Sequence, residues 1–200
     1  MHISNKSLFD IYIFVSNLLL SPLRKFKLQV HARLNGGRIV IGKNIRFHHP
    51  ICFQGKGTII IKDHVTFGYH LAGSNDNRII LQARFVDSKI IIGEHTQIMN
   101  GCELFSTDSI SIGDHVLLGA GVKIMDSNFH EVNPLLRMSP GESSPVLIHN
   151  NCWVGIDAIL LKGSELGENT VIAAKSLVHS HLKSNTIYGG NPARLIKKIC

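Results

Sequence analysis

Residues 112–130 read IGDHVLLGAGVKIMDSNFH. An aliphatic residue returns at every sixth position, at Ile112, Leu118 and Ile124, and the repeat then gives way to a polar stretch that ends at His130. Side chains repeat every 3.6 residues in an α-helix and every two in a β-strand, so a period of six fits neither. It is typical of a parallel β-helix, in which each six-residue unit forms one side of a triangular coil. We expect the repeat to build a rigid wall and the excursion to present a reactive group clear of it.

The same period runs through most of the chain. It is clearest near the C-terminus, where six aliphatic residues follow one another at intervals of six: Ile148, Val154, Leu160, Leu166, Ile172 and Val178. Because each would stack on its equivalents in neighbouring coils, the pattern predicts a continuous aliphatic core. The composition agrees with this, since 44% of the residues are hydrophobic and only 6% are aromatic.

Departures from eighteen residues per coil locate the insertions. Between Ile61 and Ile92 lie thirteen residues more than one coil, which we place around residues 70–84. The coil that begins at Ile112 carries a whole coil's length in excess, which we assign to a loop at residues 126–145, rich in Ser, Pro, Asn and Gly. Loops of this length inside a compact domain are usually functional.

The N-terminal residues 1–37 lack the repeat and predict a helical segment. Ser7 is a suitable N-cap for a helix over residues 8–20, and Pro22 should end or kink it. The apolar run is too short and too interrupted for a membrane span. Basic residues follow, so two alternatives are open: a helix packed on the domain, or a membrane-surface helix that makes a peripheral contact through residues 6–28.

The C-terminal residues 183–200 also leave the repeat, so the β-helix domain is expected to span residues 38–182. A turn is expected at residues 184–192, followed by a short basic helix or tail at residues 193–198 that closes the last coil.

Charge and cysteine content limit the partners and the cellular compartment that we expect. The chain has 21 Lys and Arg against 14 Asp and Glu, a net charge of +7, which favours an anionic partner such as nucleic acid, a membrane surface or a phosphate-rich small molecule. The four cysteines show neither a C-x-x-C motif nor zinc-ligand spacing. No cleavable signal peptide is evident, so we expect a cytoplasmic protein, at the inner face of the membrane if the N-terminal helix binds lipid.

Three motifs give a specific resemblance: DSNFH in the loop, NNCWVGIDAIL after it and IYGGNPARLI near the C-terminus. Together with the repeat, they resemble the hexapeptide-repeat acyltransferases over residues 39–198. The nearest groups are the galactoside, maltose and xenobiotic O-acetyltransferases and those of bacterial surface polysaccharides. The resemblance implies an all-β fold, a left-handed parallel β-helix, although parallel crossovers are usually right-handed. It also implies a homotrimer with active sites between subunits, and acetyl-CoA or a longer acyl-CoA as donor.

His130 stands at the position of the family's catalytic histidine. Acyl transfer from a thioester to an alcohol requires the hydroxyl to lose its proton as it attacks, and a neutral imidazole is suited to that. In the galactoside-type relatives an Asn and an Asp, eight residues apart, bind the acceptor, and the Asp precedes the histidine by twenty-two. Asn100, Asp108 and His130 reproduce both spacings. Asp126, four residues before the histidine, would instead brace the loop.

The resemblance places the coenzyme A site farther along the chain. It implies that the backbone N–H of Ile156 stabilises the developing oxyanion. Trp153 would wall the pantetheine channel, or serve only in packing. Basic side chains near the phosphates would supply charge-assisted hydrogen bonds. The further coenzyme-binding positions implied are Ala174, Lys175, which replaces a glycine of the relatives, Arg194 and Lys197.

The expected function is therefore transfer of an acetyl group from acetyl-CoA to a sugar hydroxyl in capsule, O-antigen or exopolysaccharide biosynthesis. An alternative is an N-acyltransferase for a nucleotide-linked amino sugar; such enzymes often carry an extra N-terminal α/β domain, which we do not expect here. A β-helical assembly subunit without catalysis is a further alternative. We expect no nucleic-acid partner and no metal, since the histidines lack the His-x4-His spacing of hexapeptide-repeat carbonic anhydrases.

Overall fold

The computed structural model describes residues 22–69 and 78–199. Its strands form three sheets, which are the three faces of a triangular coil. The first sheet contains β1 (Arg38–Ile41), β4 (Thr58–Ile61), β7 (Lys89–Ile92), β10 (Ser109–Ile112), β13 (Val146–Ile148), β16 (Glu165–Leu166) and β19 (His181–Leu182). The second contains β2 (Arg46–Phe47), β5 (Thr66–Phe67), β8 (Gln97–Ile98), β11 (Leu117–Leu118), β14 (Trp153–Val154), β17 (Val171–Ile172), β20 (Thr186–Gly189) and β21 (Arg194–Lys198). The third contains β3 (Ile51–Gln54), β6 (Ile79–Ala83), β9 (Glu103–Ser106), β12 (Lys123–Met125), β15 (Ile159–Leu160) and β18 (Leu177–Val178).

The period of six sets the register of these sheets. Ile112 pairs with Ile92 on one side and with Ile148 on the other, and all three side chains point into the core. The equivalent residues of the other two sheets, Leu118 and Ile124, are fully buried and pair in the same way with the coils before and after them. The predicted left-handed parallel β-helix with an aliphatic core is confirmed.

Residues 22–34 form a helix, α1, ahead of the first coil. Leu28 and Ala32 are buried, and Leu28 packs into the hydrophobic core. Two basic side chains attach the helix to that coil: Arg24 donates to the carbonyl oxygen of Phe47, and Lys25 donates to that of Gly42 at 3.2 Å.

The sequence predicts that Pro22 ends or kinks a helix, and the structure describes helix from Pro22 onward. The predicted helix over residues 8–20 lies outside the described residues. Within the described part of the chain, no helix combines the length and the apolarity needed to cross a membrane.

The insertion between Ile61 and Ile92 lies in two places. The first is between Phe67 and Leu81, which are fourteen residues apart where the next coil uses six; this part includes residues that the structure does not describe. The second is the turn at residues 84–88, most of which lies beyond the predicted limits of 70–84. That turn is at the corner between the third sheet and the first.

The long loop leaves the wall at this same corner, two coils later. Residues 126–145 run from the end of β12 to the start of β13 and contain one 3-10 helix, Pro134–Leu136. Insertions at one corner therefore stack along one edge of the β-helix.

The C-terminal segment differs from the predicted helix or tail. Residues Arg194–Lys198 form β21, which pairs antiparallel with β20. The physical reason is that β20 would otherwise leave the backbone groups of its outer edge unpaired. The chain reverses direction after Gly189 and covers that edge with its own last strand.

Candidate functional site

His130 has a defined tautomer. Its Nδ1 atom lies 3.0 Å from the carbonyl oxygen of Arg137 in the same loop. A carbonyl oxygen only accepts hydrogen bonds, so in the neutral imidazole Nδ1 carries the proton and Nε2 has the lone pair. The side chain is exposed. The loop therefore orients the imidazole by its own backbone and leaves a basic nitrogen facing outward.

The backbone around His130 is tightly constrained. Phe129 has φ of 61°, a left-handed conformation that is uncommon for a bulky residue, and its N–H donates to the Ser127 hydroxyl at 2.9 Å. Gly141 packs directly against His130: a Cβ at this glycine would lie 2.4 Å from the His130 carbonyl oxygen. Conformations of this kind persist only where the surroundings impose them, and they occur often at functional sites.

Asp126 braces the start of the loop. Its carboxylate is fully buried and accepts four hydrogen bonds from the corner of the preceding coil. One oxygen accepts from the Thr107 amide at 2.8 Å and from the Thr107 hydroxyl at 3.1 Å. The other accepts from the Ser106 hydroxyl at 2.7 Å and from the Asp108 amide at 3.0 Å. This supports the bracing role rather than a catalytic one.

The His130 side chain lines a cavity of about 470 Å³. Sequence reasoning missed much of its wall, which comes from the neighbouring corner turn as well as from the loop. The guanidinium of Arg84 lies 5.7 Å from the ring centroid of Phe129. The signal that pointed here was the excess of residues between Ile61 and Ile92. The cavity wall includes Arg84, Phe85, Thr107, Ser127, Phe129 and His130.

Within one chain, the two residues predicted to bind the acceptor substrate, Asn100 and Asp108, lie at different corners of the coil. Asp108 belongs to the corner that Asp126 braces, and its carboxylate makes no hydrogen bond within the described ranges. Asn100 lies instead between the second and third sheets, where its amide oxygen accepts from the Tyr69 N–H at 2.9 Å and its amide nitrogen donates to the Tyr69 carbonyl at 3.0 Å. A shared site for Asn100 and His130 would therefore need more than one subunit.

Ile156 occupies a turn between the second and third sheets. Ala158 donates to the Gly155 carbonyl at 3.3 Å, and Asp157 has φ of 57°, as expected for a turn whose third residue is left-handed. The Ile156 N–H has no hydrogen-bond partner in the described part of the chain. The neighbouring Trp153 side chain is 53% exposed. An unpaired N–H beside an exposed indole is compatible with the predicted oxyanion donor and channel wall.

The remaining predicted coenzyme residues lie around the next coil. Ala174 and Lys175 are exposed and form the turn that stacks on the Ile156 turn, since the Lys175 N–H donates to the Ile156 carbonyl at 2.8 Å. Lys175 has φ of 57°, which explains why relatives can carry glycine at this position. Arg194 and Lys197 are exposed on β21.

Three histidines outside the loop form a stack of rings. His64, His95 and His115 follow one another at the corner between the first and second sheets, with ring centroids 4.6 and 4.9 Å apart and planes nearly parallel. Across the described ranges, no group of His, Cys, Asp and Glu side chains is arranged to hold a metal ion.

Comparison with known proteins gives several similarities. The family profile for bacterial transferase hexapeptide (six repeats) matches residues 145–180. The chain is 30% identical to Escherichia coli K12 WbbJ, named as a lipopolysaccharide biosynthesis O-acetyl transferase, over 163 residues that cover 77% of this chain and 78% of that protein. It is 32% identical to the galactoside O-acetyltransferase of Escherichia coli K12 over 114 residues, 56% of this chain and 55% of that protein.

Two solved structures share the fold. A hexapeptide-repeat acetyltransferase of Vibrio cholerae, complexed with acetyl coenzyme A, has a TM-score of 0.60, is 22% identical and matches over 100% of this chain and 93% of its own. The N-acyltransferase AntD of Bacillus cereus, in complex with dTDP and 3-hydroxybutyryl-CoA, has a TM-score of 0.67, is 21% identical and matches over 86% and 88%.

Proposed function

Because this chain belongs to the hexapeptide-repeat acyltransferases, we propose that it transfers an acetyl group from acetyl-CoA to a sugar hydroxyl of a bacterial surface polysaccharide or its precursor, with His130 as general base. The observation that carries this proposal is the His130 tautomer: a backbone carbonyl holds the Nδ1 proton, and Nε2 remains free to accept another. The similarity to WbbJ, which covers 77% of this chain, favours an oxygen acceptor on a lipopolysaccharide sugar.

His130 acts on the proton of the acceptor hydroxyl. Nε2 takes that proton as the hydroxyl oxygen attacks the thioester carbonyl carbon, and a tetrahedral oxyanion forms. As the carbon–sulfur bond breaks, the imidazolium returns the proton to the departing thiolate, so that free coenzyme A and the acetyl ester leave. The bond from Nδ1 to the Arg137 carbonyl keeps the ring in place and favours the imidazolium while it exists.

Ile156 stabilises the oxyanion through its backbone N–H. That N–H is unpaired within the described residues, so it needs to lose no other bond to bind negative charge. Trp153 walls the channel beside it, and the exposed Ala174 and Lys175 turn continues the groove along the same edge. The two basic residues that bind phosphate are Arg194 and Lys197.

The complete site forms between subunits of a homotrimer. Asn100 and Ile156 lie at the corner between the second and third sheets, whereas His130 lies on a loop from another corner. The tip of that loop is strongly apolar yet uncovered: Leu135 is 90% and Met138 is 88% exposed. Because exposed apolar patches usually mark interaction sites, we expect a neighbouring subunit to bury these side chains and to bring its Asn100 to the acceptor, while Asp108 comes from the same corner as the His130 loop.

Peripheral contact with the membrane through residues 6–28 completes the proposal, and it places the enzyme at the cytoplasmic face of the membrane, where glycan precursors are made. In the described part of this segment, α1 has no acidic residue, and Leu23 and Phe26 are 50% and 63% exposed. Basic residues beside exposed apolar ones are typical of helices that lie at a lipid surface.

A direct experiment tests the reaction. Purified protein receives acetyl-CoA with lipopolysaccharide or capsule sugars as acceptors, free thiol is followed, and the product is examined by mass spectrometry. We expect thiol release that depends on the acceptor, and one acetyl ester that mild base removes. An alkali-stable acetyl group on an amino sugar would instead establish the N-acyltransferase alternative. Comparing intact glycans of a deletion strain with those of its parent would identify the acceptor.

A further inference from the structure

Arg84 and His130 line the same cavity. Its guanidinium carbon is 5.7 Å from the ring centroid of Phe129, the residue next to His130, and 6.0 Å from that of Phe85. The backbone at Arg84 is fixed, because its N–H donates to the Ser106 carbonyl at 2.8 Å. Two aromatic faces thus hold this cation near the proposed base.

Arg84 has no ion-pair partner among the residues that the structure describes. Basic side chains elsewhere do form ion pairs, such as Lys123 with Glu103 at 2.6 Å and Lys162 with Glu142 at 2.8 Å. The described lining of the cavity contains no Asp or Glu. Arg84 is exposed at a cavity whose described lining offers it no carboxylate, so it is suited to bind a carboxylate or phosphate of a ligand through its planar fork of N–H donors.

We propose that Arg84 binds an anionic group on the acceptor, so that the acceptor is an acidic sugar unit carrying a carboxylate or a phosphate. This rests on the proposed function, since it places the acceptor beside His130 Nε2. The anion belongs to the acceptor rather than to coenzyme A, because Arg84 shares a cavity with His130, where the acceptor hydroxyl must lie, whereas the phosphates of coenzyme A are assigned to Arg194 and Lys197 on β21. Arg84 lies at the corner between the third sheet and the first. Phe85 and Phe129 offer apolar faces against which a sugar ring can pack.

The test compares matched acceptors on matched variants. The probes are methyl β-D-glucuronide, methyl β-D-glucoside and methyl β-D-glucoside 6-phosphate, and their binding is measured by ligand-detected NMR without acetyl-CoA. We expect the intact protein to bind one of the two anionic probes about tenfold to a hundredfold more tightly than the neutral glucoside, and the better anion distinguishes carboxylate from phosphate. Arg84→Gln should abolish that preference, and Arg84→Lys should retain part of it. Arg46→Gln, which removes an exposed arginine from β2, is the control with the same change in net charge and should bind as the parent does.

Three outcomes would overturn the inference: equal binding of neutral and anionic probes, an unchanged preference in Arg84→Gln, or an effect of Arg84→Gln on the apparent KM for acetyl-CoA alone. Failure of the proposed function gives a different result. In that case the anionic preference and its loss in Arg84→Gln remain, while no acceptor is acetylated.

Discussion

Asp126 provides the sharpest stability prediction, because its carboxylate is completely buried and bonded at both oxygens. Thr107 and Asp108 donate their main-chain N–H groups to opposite oxygens. In Asp126→Asn, the side-chain NH2 must therefore replace one acceptor and face an N–H donor. Whichever way the amide is turned, one backbone N–H loses its partner in a site closed to water.

The magnitude follows from the bonds that are lost. A hydrogen bond to a charged group contributes about 1.5–3 kcal/mol; the substitution removes one of them, leaves a buried N–H unpaired and weakens the other three. We expect Asp126→Asn to lower the free energy of unfolding by about 3–5 kcal/mol. Ser106→Ala removes only one donor to the same carboxylate, so it should cost about 1–2 kcal/mol. Asp87→Asn, at an exposed position of the corner turn, is the control and should stay within about 0.5 kcal/mol of the parent.

Thermal unfolding followed by circular dichroism, at one fixed protein concentration, measures these differences. For a chain of this length, each kcal/mol corresponds to about 2–4 °C in Tm. Asp126→Asn should also reduce acetyl transfer, since the loop that carries His130 begins at this residue. A Tm within about 2 °C of the parent would show that the carboxylate does not hold the corner and would refute the bracing role.

Three further predictions concern the site and the core. Gly141→Ala should lower kcat with little change in Tm, because the new Cβ would lie 2.4 Å from the His130 carbonyl oxygen and would displace the loop; steady-state kinetics and circular dichroism measure the two effects. Ile156→Pro should lower kcat about 10²- to 10³-fold, because it removes the proposed oxyanion donor at a turn position that proline fits, and kinetics beside an alanine variant that keeps the N–H will measure it. Burial raises the pKa of Cys102 to about 12, so its thiol should resist alkylation at pH 8 until the protein unfolds, while the partly exposed Cys52 reacts first in timed mass spectrometry.

Each of these has a clear contrary result. Full activity of Gly141→Ala would mean that the loop conformation around His130 is not needed for transfer. Equal kcat for the proline and alanine variants at Ile156 would exclude its N–H as the oxyanion donor. Rapid labelling of Cys102 in the native protein would show that its coil opens far more often than a packed core allows.

The repeat made the wall of the fold predictable, and single residues show why. Ile112 is followed by Leu118 because six residues complete one face, so position in the sequence determines sheet and register together. The C-terminal strand could not be found in this way, because β21 forms to cover the edge of β20 and not because of its own pattern. Helix α1 was not predicted over residues 22–34, because a proline usually ends or kinks a helix.

The candidate site was likewise predictable from the sequence only in part. His130 was predictable because a motif carries it, and its tautomer was not, because that depends on where the loop places the Arg137 carbonyl. Arg84 was not predicted as a site residue, because it lies in an irregular turn forty-six residues before His130. Only the stacking of the corners brings it beside Phe129. Contacts between irregular segments have no period to reveal them.

The most direct test of the central claim is the kcat of His130→Gln with a saturating acceptor. The claim predicts that kcat falls about 10²- to 10⁴-fold, since the general base is lost. The apparent KM for acetyl-CoA should stay within about twofold, because the histidine acts on the acceptor proton and not on coenzyme binding. The Tm should not change, since the side chain is exposed. A kcat within about threefold of the parent would contradict the assignment of His130 as the base.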